Sequence, residues 1–465
     1  MNAQKQIEAI YPLSPMQEGM LFHSLFAEET GVYFEQLCCR IVGDLEPGAL
    51  REAWKQLFQR HAVLRSCFMW ERRVKPLQVV RKEVEFSMLE EDWSSLPSVV
   101  AIVRLEKFLA DDIAAGFDLS RAPLMRVSLL RRGTREFTLI WSFHHILLDG
   151  WCVPRIFGEL FRSYEGIVTG NPLVLPSVRP YRDYIAWLQR QDLAKAERFW
   201  RRELAGFIAP TSVRKLLTPP LEEQHNYGER VASLSEDQTA QTLAFIRRER
   251  LTMNTVVQGA FGLLLSRYSG ENDIIFGNTV AGRPPDLRGA EEMVGVFINT
   301  LPVRVKTQAP TTIRPWLIDL QQRQVETRAF EFSPLSQIQG WSPVAKGQPL
   351  FQSILVFENY PVSHALTETS CKNLQIDRVS MTEKTNYPLT LSVAYADRLM
   401  YQASYDRRAY GDYQIEAMLQ DLTSVIMHLV SEPDGTLGDI VLIEPSLESE
   451  IDGLEESLNF AGRVE

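Results

Sequence analysis

Phe137-Thr138-Leu139-Ile140-Trp141-Ser142-Phe143-His144-His145-Ile146-Leu147-Leu148-Asp149-Gly150-Trp151 carries the strongest signal in this chain. Glu136 to Phe143 is rich in β-branched and aromatic residues and reads as a strand. Two histidines, a turn and a helix from about Val153 to Val168 follow. Adjacent side chains on a strand point to opposite faces, so His144 and His145 cannot share a cavity unless the strand breaks between them. One is expected to work and the other to support. Asp149, at the turn into the helix, can fix the loop through backbone N–H groups or an arginine. Gly150 lets backbone approach a ligand closely. These residues alone leave two alternatives open, a pair of satisfied core histidines and a metal site. The other histidines (His23, His61, His225, His364, His428) show no ligand-like spacing, which disfavours a metal. No Gly-x-Ser-x-Gly elbow, Walker loop, Gly-x-Gly-x-x-Gly or His-Glu-x-x-His occurs, so hydrolase, nucleotidase and dinucleotide chemistries have no foothold.

Outward from this stretch, helices and strands intermix. Ser14, Pro15 and Gln17 carry the N-cap, first-turn and capping-box signals of a helix over 14–27. A strand is expected at 33–43, helices at 48–62 and 102–116, and a strand at Leu124 to Leu130. Asn171 to Pro180 contains prolines and suits a boundary. Beyond it, helices at 181–190, 193–205, 236–250, 253–268, 313–329 and 412–431 mix with strands at 273–280, 352–357 and 388–395. The reading is an α/β fold with α+β layers. The 465 residues exceed the roughly 250–300 that one core supports, so two lobes are expected, over 1–175 and 176–445. The acidic tail 446–465 reads as a linker toward a following domain.

The net charge of -10 disfavours nucleic acid and anionic membrane as partners. No apolar run is long enough to span a bilayer, and no signal-peptide pattern opens the chain. Five cysteines, Cys38, Cys39, Cys67, Cys152 and Cys371, lack metal-ligand spacing. They read as free thiols in a reducing cytoplasm, with Cys38 and Cys39 on opposite faces of their strand.

His144 to Gly150 resembles the His-His-x-x-x-Asp-Gly signature of nonribosomal peptide synthetase condensation domains. Tyr11 to His23 (Tyr-Pro-Leu-Ser-Pro-Met-Gln-Glu-Gly-Met-Leu-Phe-His) is similar to that family's opening motif. Arg60-His61-Ala62-Val63-Leu64-Arg65-Ser66-Cys67-Phe68 resembles the second, where the family often has Thr at the place of Ser66. Tyr181-Arg182-Asp183-Tyr184 fits the fourth, and Val294 to Arg304 (Val-Gly-Val-Phe-Ile-Asn-Thr-Leu-Pro-Val-Arg) the fifth. Glu383-Lys384-Thr385-Asn386-Tyr387-Pro388-Leu389 resembles the last. Glu331-Phe332-Ser333-Pro334-Leu335 departs from the sixth, which often carries a histidine.

The resemblance implies two chloramphenicol-acetyltransferase-like lobes in a V-shaped pseudo-dimer with a central tunnel. It implies a donor thioester and an acceptor amine delivered on the phosphopantetheine arms of two peptidyl carrier proteins, with no tightly bound cofactor or metal. A neighbouring adenylation domain and a cytoplasmic monomer are expected. His145 is implied to be catalytic, with His144 and Asp149 structural. Asp149 is expected to pair with an arginine of the second motif, Arg65 first and Arg60 second. Trp151 and Asn386 are expected to line the tunnel. Epimerization domains share the histidine signature, but their fifth motif differs from Phe297 to Pro302. A non-catalytic carrier-binding domain would carry a degraded signature. The opening motif, with Trp141-Ser142-Phe143-His144-His145, resembles domains taking a D-configured donor and an L-configured acceptor.

Overall fold

The computed structural model describes residues 6–26, 31–171, 175–213, 227–358 and 373–442. The chain divides into two compact units. The first is Met1–Asp192 with Ala281–Asn299 and Tyr360–Asn386, and the second is Leu193–Val280, Thr300–Asn359 and Tyr387–Glu465. The division is therefore discontinuous, where the sequence suggested one boundary at 175/176. Backbone pairing explains the difference, because a strand from late in the chain joins the sheet that carries the histidines. The tail 446–465 and Cys371 lie outside the described residues, as does 172–174 of the expected boundary.

In the first unit, strands β1 (Ile7–Pro12), β3 (Ser66–Met69) and β4 (Leu77–Arg81) form a small sheet in the order β1-β4-β3. The larger sheet contains β2 (Phe34–Gly43), β5 (Met88–Asp92), β6 (Met125–Arg131), β7 (Glu136–His144) and β12 (Leu374–Thr382), in the order β12-β2-β7-β6-β5. β2 and β7 pair antiparallel with Glu35 opposite Phe143 and Phe34 opposite His144. Alternation places Leu37, Cys39 and Ile41 of β2, and Leu139, Trp141 and Phe143 of β7, in the main apolar core. Cys38 and Ile140 belong to a separate cluster around Trp93. The two adjacent cysteines do point apart, and the four described cysteines are free thiols.

Helices α1 (Pro15–Phe26), α2 (Pro47–Arg60) and α4 (Cys152–Val168) contribute to the main core through Met20 and Leu21, Trp54 and Leu57, and Ile156 and Leu160. Helix α3 (Ser98–Ala115) packs Leu105, Phe108 and Leu109 against the Trp93 cluster instead. The expected capping box of α1 is present. Gln17 N donates to Ser14 Oγ at 3.2 Å, and Ser14 N donates to Gln17 Oε1 at 3.0 Å. The Gln17 amide also donates to the carbonyl of Ile146 at 2.9 Å, which ties α1 to the histidine turn.

In the second unit, β8 (Tyr227–Ser233), β9 (Asp273–Val280), β10 (Asn299–Lys306), β11 (Ser353–Glu358), β13 (Leu389–Tyr395) and β14 (Leu399–Asp406) form a mixed sheet ordered β10-β9-β11-β13-β14-β8. The helices Met253–Ser269 and Asp412–Ser431 cover it through a second core that includes Phe261, Leu264, Leu422 and Ile426. Among the described residues, no helix is long and apolar enough to cross a membrane.

Candidate active site

β7 ends at His144, and the chain then turns through Ile146, Leu147 and Leu148, all fully buried, before α4 begins at Cys152. His145 N donates to Tyr33 O at 2.8 Å, which extends the β2–β7 pairing by one step. Alternation thus still separates the two imidazoles.

His144 is fully committed to structure. Its Nδ1 accepts from Ile146 N at 3.1 Å, so the ring proton sits on Nε2. That nitrogen lies 3.1 Å from Ser24 Oγ, whose hydroxyl donates onward to Met20 O at 2.8 Å. Burial, helped by the adjacent His145, pushes the His144 pKa down to about 3. The unfolded chain therefore takes up a proton below about pH 6.5 that the folded chain refuses down to about pH 3. His144 adds nothing to pH dependence above that window, and it costs stability as pH falls through it. Chemical denaturation at pH 7 and pH 5 should show His144→Leu losing about 2 kcal/mol less on acidification than the parent. Equal losses would refute the neutral, buried assignment.

His145 is buried but uncommitted. Its Nδ1 has no hydrogen-bond partner among the described residues. Its Nε2 lies 3.9 Å from Glu383 Oε1, too long for a hydrogen bond. The Tyr33 ring stands edge-on to it at 6.5 Å between centroids. Glu35 completes the surroundings, and Glu35, His145 and Glu383 each offer an atom within 4.8 Å of the other two. Two carboxylates and an imidazole are a donor set that could hold a divalent ion. A metal-bound imidazole, however, usually anchors its second nitrogen, and His145 Nδ1 is not anchored.

Asp149 is 0% exposed and acts as a knot. Its Oδ2 accepts from Phe297 N at 2.8 Å and Ile298 N at 3.3 Å, and its Oδ1 faces Arg283 Nη2 at 3.4 Å and Cys152 Sγ at 3.2 Å. Arg283 also donates to the carbonyls of Ala290 and Met293 and lies over the Phe297 ring. The arginine of Asp149 is therefore Arg283, not Arg65 or Arg60. Arg65 is taken by Phe58 O at 2.7 Å, Glu8 Oε2 at 2.7 Å and the carbonyls of Arg81 and Lys82. Arg60 bonds Glu159 Oε2 at 2.8 Å and Pro176 O at 2.6 Å. Both second-motif arginines lock α2 to neighbouring elements and leave Asp149 to a residue distant in sequence. The fifth motif is held in place by the fourth. The Tyr181 hydroxyl donates to Val296 O at 2.5 Å, and any Cβ on Gly295 would collide with the Tyr181 ring.

Gly150 has open space where a Cβ would stand, with no atom within 4 Å, so packing does not demand a glycine there. Trp151 is 48% exposed. Asn386 is fixed rather than loose. Its Oδ1 accepts from the Tyr33 hydroxyl at 2.8 Å, and its Nδ2 lies 3.2 Å from His23 Nε2.

Sequence reasoning missed Arg283, Glu35 and the placement of Glu383 beside His145. Arg283 sits in Ala281-Gly282-Arg283-Pro284, which carries no pattern of its own. Glu35 did carry a signal. It is an acid on the same alternation face as Leu37, Cys39 and Ile41.

Residues 7–451 match the family model of the condensation domain. The chain is 43% identical over 448 residues to one of the linear gramicidin synthase subunits of Brevibacillus parabrevis, covering 95% of this chain and 9% of that protein. It is 33% identical to surfactin synthase subunit 3 of Bacillus subtilis (strain 168), covering 94% of this chain and 34% of the relative. The chain thus spans about a third or less of the length of these relatives. In fold it is similar to a four-domain nonribosomal peptide synthetase, holo-AB3403, with TM-score 0.82, 18% identity and coverage of 95% of this chain and 34% of that one. It is also similar to the condensation domain of the Monacolin K polyketide synthase MokA, with TM-score 0.78, 16% identity and coverage of 93% and 100%. The family match, the coverage and the shared mixed α/β fold agree: this chain belongs to the condensation domain family.

Proposed function

We propose that this chain forms a peptide bond between a donor aminoacyl or peptidyl thioester and the amine of an acceptor aminoacyl thioester. Both substrates arrive on phosphopantetheine arms of carrier proteins, within a larger synthetase that includes an adenylation domain. The observation that carries this reading is His145, an imidazole held by its backbone and left without a side-chain hydrogen bond at Nδ1. A ring so placed can accept a proton from the attacking amine as the C–N bond forms, and return it to the departing thiolate. The thioester is already activated, so no covalent enzyme intermediate is needed. Tethering supplies much of the rest, because two oriented substrates can gain up to about 7–11 kcal/mol over free encounter. The backbone N–H of Gly150 or Trp151, just before α4, is the candidate donor to the developing oxyanion. The bare face of Gly150 suits such an approach.

The subtype we favour takes a D-configured donor and an L-configured acceptor, on the form of the opening motif and of Trp141 to His145. The test supplies donor carriers loaded with D- or L-aminoacyl groups, an acceptor carrier loaded with an L-residue, and chiral analysis of the released product. Amide formed faster from the D-donor is the expected result. Faster reaction of the L-donor would reject the subtype. Inversion of one tethered residue without amide formation would reject condensation in favour of epimerization.

A further inference from the structure

Glu35 sits where the fold would prefer an apolar side chain. It is 1% exposed, it shares a strand face with Leu37, Cys39 and Ile41, and both carboxyl oxygens lack a hydrogen bond among the described residues. Leaving a buried carboxyl unpaired costs more stability than an isosteric apolar residue would. Its polar neighbours are His145, from the turn after β7, and Glu383, the residue following β12. The other titratable groups around them are spent: His144 on Ser24, and Tyr33 on Asn386. Three polar groups therefore converge without satisfying one another, two of them nine-tenths buried or more, while the Glu383 side chain stays 43% exposed. A pocket of this composition fits a small cation that enters past Glu383.

We infer that Glu35 and Glu383 form a subsite for the acceptor's primary ammonium beside His145. This rests on the peptide-bond-forming reading above. An α-amine titrates near about 7.7–8.0, so the acceptor arrives mostly as the cation, which cannot attack. Burial, and then the neighbouring Glu383, hold the Glu35 carboxyl well above the usual carboxylate range. A carboxyl that burial biases toward its neutral form, beside the half-exposed Glu383, matches a monocation better than a divalent metal. The ammonium gives its first proton to the Glu383 carboxylate. That N–H bond breaks, its electron pair stays on nitrogen, and a carboxyl O–H forms. The free amine attacks the thioester carbonyl and its second proton passes to His145. The C–S bond then breaks and the thiolate takes that proton back. Ammonium plus thioester thus yields amide, thiol and one proton, which Glu383 releases to solvent. Glu35 keeps the pocket's negative charge low, and its two unpaired oxygens are open to accept from the ammonium.

The test measures the rate of amide formation against acceptor-carrier concentration from pH 6.5 to 9, for the parent, Glu35→Gln, Glu383→Gln and His145→Ala. Glu383→Gln should raise the acceptor KM and lose about tenfold or more in kcat/KM near pH 7. It should recover most of it near pH 9, where the amine is already free. Glu35→Gln, which keeps a neutral acceptor of the same shape, should lose clearly less than Glu383→Gln at pH 7. His145→Ala should stay impaired throughout. Glu383→Gln, at a half-exposed position, keeps the test valid if Glu35→Gln does not fold. A Glu383→Gln deficit that is the same at every pH, or no deficit, would overturn the subsite. A parent protein that forms no amide at any pH would instead refute the peptide-bond-forming reading.

Discussion

His145→Ala should cut amide formation by roughly 10²–10⁴-fold, the usual worth of a positioned general base. The loss should appear at every pH, while carrier loading and the folded state are retained. Retention of the fold is expected because the side chain gives the protein little. Its Nδ1 bonds to nothing described, its Nε2 contact to Glu383 is 3.9 Å, and only its backbone N–H, to Tyr33 O, joins the sheet. Single-turnover assays with preloaded carriers and a circular dichroism melt would check both halves. Parent-like rates would remove His145 from the chemistry. A collapsed melting curve would make it a structural residue like His144.

Asp149→Ala should be the most destabilising single change at the site, by about 3–5 kcal/mol, read as a lowered denaturation midpoint. The carboxylate is 0% exposed and carries several partners at once. Removing it strands the Phe297 and Ile298 N–H groups that share Oδ2 and leaves Arg283 buried without its anion. Arg283→Met should cost less, since Asp149 keeps two backbone donors. The double variant should cost clearly less than the sum of the two singles, because the second change no longer strands a charge. Additive costs would show that the pair is not coupled. Asp149→Asn should fall between, keeping the shape of the side chain while losing its charge. Activity should follow stability in this series, since Asp149 shapes the turn and does not face the reacting atoms.

These expectations draw unequally on sequence and on fold. Local signals (alternation, strand-forming composition and helix caps) located β2, β7, α1 and α4 and predicted the Ser14–Gln17 box, because each rests on neighbours along the chain. Alternation also separated His144 from His145, since it is a local property of a strand. Strand β12 was not legible. Leu374–Thr382 lies at the edge of the sheet and buries only Leu374 and Ile376 fully, and the register shift at Arg378, between Asp377 and Val379, breaks the phase of its alternation. The same strand brings Glu383 beside His145, which no local pattern could announce. The Asp149 partner failed for a related reason. Sequence proximity to known motifs pointed to Arg65 and Arg60, whereas a buried carboxylate takes whichever guanidinium the fold presents, and that is Arg283.

Consecutive residues were enough to point to the family and to set His144 apart from His145, because strand alternation, capping and motif order are all written along the chain. The surroundings of those histidines came from the folded arrangement. Arg283 on Asp149, and Glu35 with Glu383 at His145, are contacts between segments far apart in the chain, selected by sheet order and burial rather than by any local spacing.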